Sequence, residues 1–215
     1  MQPPKSSICV ICGIHPATTD EHVPRRGFFK GLSGQFRTVR ACNGCNNGNS
    51  EDDEALRFYI SAQIRKQTDG AKHLWEQSAH KSILRSAKLR TEFLSTLQEV
   101  TVNGANGKAA SRTAFLVQID LYQRVFERVT RGLYFWHTGT ILPSGTFVKI
   151  YLHSKAPNLD DPELMALEAY SIAGDAFEYK FGIDPEDTRN SIWLFCVHKS
   201  QWVQASTGLL ADDAF

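Results

Sequence analysis

Two Cys-x-x-Cys pairs, Cys9/Cys12 and Cys42/Cys45, constrain this chain more than any other feature. Each two-residue gap lets a tight turn aim both sulfurs at one point, and four thiolates in two close pairs suit a tetrahedral structural zinc ion. Gly13, directly after the first pair, permits the turn such a knuckle needs. A module of residues 1–68 is short for hydrophobic burial alone, so zinc would supply much of its folding free energy. The fifth cysteine, Cys196, lies in the apolar run 192–197 and reads as a buried small hydrophobe. The stretch MQPPKSSICVICG has no apolar core of a secretory leader, so a reducing, cytoplasmic setting is expected, where paired cysteines more often hold metal than form disulfides.

With 215 residues, of which 42% are hydrophobic, the chain can bury a sizeable core, and no run approaches the roughly eighteen apolar residues of a membrane span. The net charge of +1 hides an uneven distribution. Residues 1–50 carry Lys5, Arg25, Arg26, Lys30, Arg37 and Arg40 against Asp20 and Glu21, whereas the last sixty residues carry three basic and eleven acidic side chains. This asymmetry is compatible with a nucleic-acid face near the cysteines and a protein-partner surface in the acidic C-terminal region.

Pattern and turn chemistry give an α+β chain. Thr18–Val23 and Phe36–Ala41 read as strands flanking a basic, glycine-containing loop from Arg25 to Gly34. Ser50 reads as a helix cap, with the helix running to about Gln67. Helices are expected at 71–85 and 87–97, then a strand at 100–102 entering a tight turn at 103–107. Leu121, Tyr122, Val125, Phe126, Val129 and Leu133 recur at three and four, which predicts a core-facing helix over 115–134. A strand at 147–152, a short helix at 161–169 and antiparallel strands at 177–181 and 191–198 follow. We divide the chain at residue 68, with 69–215 as a mixed region that positions substrate or contacts a partner.

Between the cysteine pairs stands Glu21-His22-Val23-Pro24, and Asn46 follows the last cysteine. With Cys9-x-x-Cys12 and Cys42-x-x-Cys45, this resembles the HNH endonuclease family in its zinc-containing ββα-metal form. The resemblance covers the first fifty to seventy residues. It implies a small zinc-stapled ββα-metal (HNH) module followed by a mixed helical and antiparallel-sheet domain. It also implies that Cys9, Cys12, Cys42 and Cys45 hold structural Zn²⁺, that Glu21 and Asn46 hold a catalytic Mg²⁺ or Mn²⁺ with oxygen donors, and that His22 is the general base. The substrate implied is DNA, with RNA not excluded, and Arg25, Arg26 and Lys30 are the candidate phosphate contacts. The chain departs from the family pattern in carrying Glu21 where Asp is usual, and in offering Gln35, Arg37 or Arg40 where an Asn often braces the loop behind the base.

Arg124, Arg128 and Arg131 share a helix face and could extend a DNA track, whereas the aromatics of 131–139 read as core. Two rivals to the nuclease reading stand beside it: a zinc-stapled nucleic-acid reader without the reaction, and a nuclease subunit that acts within a larger complex.

Overall fold

The computed structural model describes residues 5–62, 68–103, 108–174 and 176–209. It is a mixed α+β architecture with antiparallel sheets. Strands β1 (Thr19–Val23) and β2 (Arg37–Ala41) pair antiparallel, with Glu21 opposite Val39 and His22 opposite Thr38. A cis Val23–Pro24 bond ends β1, and a 3-10 turn over Arg26–Phe29 lies within the segment 25–34 that reads as a loop in the sequence. Helix α1 (Asn43–Asn47) opens on Cys42, and α2 (Ser50–Ser61) follows. Ser50 is the first residue of α2, and Asn49 holds the cap position without capping it: its amide donates to Cys45 O at 3.1 Å. Glu51, Asp52 and Asp53 fill the first turn, where the helix dipole favours acids. The predicted extension of this helix to Gln67 falls outside the described residues, as does most of the expected turn at 103–107.

A helical stretch then runs through α3 (Asp69–Leu74), a π-helical turn at Trp75–Ala79, and α4 (His80–Arg85), before α5 (Ala87–Ser95). Strands β3 (Leu97–Asn103) and β4 (Ala109–Phe115) form a hairpin of their own. Helix α6 (Ile119–Thr138) begins four residues later than periodicity suggests, because Phe115 ends β4. It ends on Gly139 at φ 70°, a left-handed cap. Its apolar stripe is buried as expected, and Leu133, Tyr134 and Phe135 are core residues.

Five strands complete the fold: β5 (Thr146–His153), β6 (Glu168–Ile172), β7 (Phe177–Ile183), β8 (Ser191–Val197) and β9 (Gln201–Leu209), in the antiparallel order β5-β9-β8-β7-β6. The helix expected over 161–169 is only α7 (Pro162–Met165), and Glu168–Ile172 is a strand because it pairs with β7 along its whole length. Cys196 is buried among these strands, and burial pushes its thiol up to about 11.

One hydrophobic cluster runs from Cys9, Val10 and Ile11 through Val23, Phe29 and Leu56 to α6 and the five-stranded sheet. Helix α6 comes close to β1 at Gly132, where an added Cβ would lie 2.5 Å from Val23 Cγ1. Only a residue without a side chain lets α6 come this near β1. The strand carrying Glu21 and His22 is thereby seated on the longest helix.

Candidate metal centres and the acidic cleft

The first cysteine knuckle is a backbone turn. Gly13 N–H donates to Cys9 O at 2.8 Å, with Gly13 at φ 68°, and Val10 N–H donates to Arg40 O at 3.0 Å, tying the knuckle to β2. The second is a helix start, with Cys45 N–H donating to Cys42 Sγ at 3.4 Å. Chain geometry thus brings Cys9, Cys12, Cys42 and Cys45 together, with every sulfur within 4.8 Å of the others. Zinc–thiolate bonds of about 2.3 Å place tetrahedral sulfurs at comparable spacing, so the four residues fit a zinc ion. The Cys9 thiol is drawn down to about 4 by the Cys45 side chain beside it and, against burial, by backbone N–H groups of Cys12 and Cys42; Cys45 is pushed up in turn.

Beside this cluster lies a cleft of about 450 Å³. Glu21, His22, Arg25, Arg26, Asn46, Asp53 and Arg57 are among the residues lining it. The three residues singled out for chemistry therefore meet at one place, although they come from β1 and α1. Strand alternation turns Glu21 inward, where it is 6% exposed, and leaves His22 half-buried.

His22 packs edge-on against Phe36, ring centroids 6.2 Å apart, and neither ring nitrogen has a hydrogen-bond partner among the described residues. Burial, then the charges of Arg26 and Arg25, hold its pKa below the ordinary histidine value. The imidazole is therefore neutral at physiological pH with a nitrogen free to accept a proton. Among the described residues no side-chain amide braces it, and Phe36 packs against the ring.

Arg25 occupies the middle of the site. Its Nε lies 3.1 Å from Glu21 Oε1 and 2.7 Å from Asp53 Oδ2. Its Nη2 donates to Glu21 Oε2 at 3.2 Å, to Asn46 Oδ1 at 3.0 Å and to the Asn46 carbonyl oxygen. Asp53 is 6% exposed, and its other oxygen accepts from Arg128 Nη2 at 2.7 Å. Asn46 is fixed in turn by donating through Nδ2 to Asp20 O at 3.0 Å. Burial pushes Glu21 up to about 7 in spite of Arg25.

Of the expected phosphate contacts, Arg25 is thus turned onto acids, Arg26 is exposed at the cleft with its guanidinium 5.5 Å over the Phe36 ring, and Lys30 is exposed outside the cleft lining. Arg124, Arg128 and Arg131 do not form an open basic track: they pair with Asp52, Asp53 and Glu127. Asp53 and Arg57 are the cleft residues that sequence reasoning passes over. Arg57 lies one helical turn after Asp53 on α2, against Gly27, and donates to Ser82 Oγ at 3.2 Å. The available signal was the i, i+4 spacing of Asp53 and Arg57, matched by that of Arg124 and Arg128 on α6.

The oxygen donors gathered here suit a hard divalent cation, and the position between them already holds a cationic group. No protein-family model, curated protein or solved structure gives a significant match to this chain. No helix among the described residues is long and apolar enough to cross a membrane.

Proposed function

We propose that this protein is an HNH-type, metal-dependent endonuclease that hydrolyses phosphodiester bonds in DNA. The observation that carries this reading is the convergence of Glu21, His22 and Asn46 on one cleft directly beside four clustered cysteines. The β1–β2 hairpin followed by α1 then serves as the ββα-metal element. The cysteines hold zinc as a staple, and Glu21 and Asn46 hold Mg²⁺ or Mn²⁺. A divalent ion there supplies charge neutralisation for the phosphate and its leaving oxygen.

This chain's own residues do the rest. His22, kept neutral by burial and by two neighbouring arginines, accepts a proton from the attacking water. Phe36 orients its ring by packing. Arg26 and Arg57, both at the cleft, receive phosphate oxygens and set the register of the strand. The pairing of Arg25 with Glu21, Asn46 and Asp53 favours a second reading, a zinc-stapled DNA reader whose acids are neutralised by arginine and which does no chemistry.

Plasmid nicking with Mg²⁺ or Mn²⁺, set against Glu21→Gln and a DNA-binding assay on both proteins, separates the two. The nuclease reading expects ion-dependent nicking that Glu21→Gln lowers by about a hundredfold or more, with DNA binding kept. Binding without nicking by the native chain under all ion conditions would favour the reader.

A further inference from the structure

The arginine at the centre of the cleft has more oxygens around it than it can serve. Nε carries one proton and Nη2 carries two, three in all. They face Glu21 Oε1 and Oε2, Asn46 Oδ1 and O, and Asp53 Oδ2, five oxygens in all. The single Nε proton is directed at Glu21 Oε1, so Asp53 Oδ2, buried and 2.7 Å from the same nitrogen, accepts no hydrogen bond. A buried carboxylate oxygen left without a donor is costly. Mg²⁺ and Mn²⁺ need no protons to bind oxygens and prefer about six of them.

We infer that Asp53 is a third protein ligand of the divalent ion, and that Arg25 is a stand-in cation which the ion must displace. This rests on the nuclease reading of the same cleft. Without the ion, Arg25 keeps Glu21 and Asp53 from repelling one another across a buried space. When the ion enters, Arg25 leaves the oxygens. Its side chain is 24% exposed and lines the cleft, so the guanidinium has somewhere to go. It then joins Arg26 among the donors that face a phosphate. Asp53 stays in place because Arg128, 14% exposed and anchored on α6, holds its other oxygen throughout. The exchange couples ion entry to phosphate binding through one side chain, and it lowers the apparent ion affinity by the fraction of time Arg25 occupies the site.

The test is Mn²⁺ binding to the zinc-loaded full chain without DNA, read from the electron paramagnetic resonance signal of free Mn²⁺. Native chain, Arg25→Ala, Asp53→Asn and Glu21→Gln are compared, with zinc content and thermal unfolding measured on each. Removing the competitor in Arg25→Ala should tighten Mn²⁺ binding by about tenfold or more, and Asp53→Asn should weaken it by about tenfold or more. If Asp53→Asn loses zinc or its fold, the Arg25→Ala titration alone decides. Mn²⁺ binding that requires Glu21 but is unchanged or weakened in Arg25→Ala overturns the exchange and leaves the nuclease reading standing. Unchanged binding in a folded Asp53→Asn removes Asp53 as a ligand. No Mn²⁺ binding by any of the four, Arg25→Ala included, overturns both the exchange and the ion-dependent reading.

Discussion

Single side chains here are tuned chiefly by burial. His22 and His137 are both held neutral this way, and with different consequences. His22 stands at the cleft, its ring nitrogens without a hydrogen-bond partner among the described residues. His137 closes the end of α6, its Nε2 in a 2.9 Å hydrogen bond with the Tyr179 hydroxyl and its ring 4.2 Å from that of Phe181. Burial, aided by Arg37 and opposed by Glu168, draws His137 down to about 4. The unfolded chain takes up this proton near pH 6.5 and the folded chain only near 4, so stability falls as pH drops between those values. Native protein should lose more unfolding free energy between pH 6.5 and 4.5 than His137→Gln. The ring is partly exposed, so the difference should stay below the limit of about 1.4 kcal/mol per pH unit for one proton. Parallel pH profiles for the two proteins in urea unfolding would contradict this assignment.

At the scale of elements, the site depends on how α2 and α6 bracket β1. The cysteine pairs, the hairpin strands and the apolar stripe of α6 are legible in the sequence because each is a local pattern, with fixed spacing, alternation or a period near 3.6. The Glu-His step and Asn46 are legible only as a motif, through its resemblance. The pairing of Asp53 with Arg128, which the sequence offers only as a possible DNA contact, is not legible because it joins residues 75 apart and exists only once α2 packs on α6. Likewise 161–169 carries good helix formers, and only pairing with β7 makes its end a strand. Gly132 lies in the helix interior, against Val23. Alanine is the better helix former by about 1 kcal/mol, yet its methyl would lie 2.5 Å from Val23 Cγ1 in a closed core. Overpacking costs about 1–3 kcal/mol, so Gly132→Ala should lower stability, and Val23→Ala added to it should recover part of the loss. A Gly132→Ala chain as stable as the native one in denaturant would show that α6 does not need this approach.

For the whole molecule, the cysteine-cluster segment and the larger sheet share one hydrophobic cluster, with Val10 and Ile11 in the same core as Phe177 and Val203. The cysteine cluster, the hairpin and α6 therefore hold the cleft residues as a connected set. The charge asymmetry of the sequence is partly consumed inside the fold, since Arg124, Arg128 and Arg131 are paired with acids. What remains basic at the cleft is short-range: Arg26, and Arg57 with Glu54 3.7 Å away, with Arg25 in reserve. Such a surface fits contact with a few phosphates around one bond better than a long duplex track.

The most direct measurement is plasmid cleavage by the native chain and by His22→Ala in the presence of Mn²⁺, with both proteins shown to carry equal zinc and to melt alike. Loss of a positioned general base should slow cleavage by about a hundredfold to ten-thousandfold. That result, with zinc and fold intact, is the one this account predicts; equal cleavage by the two proteins would contradict it.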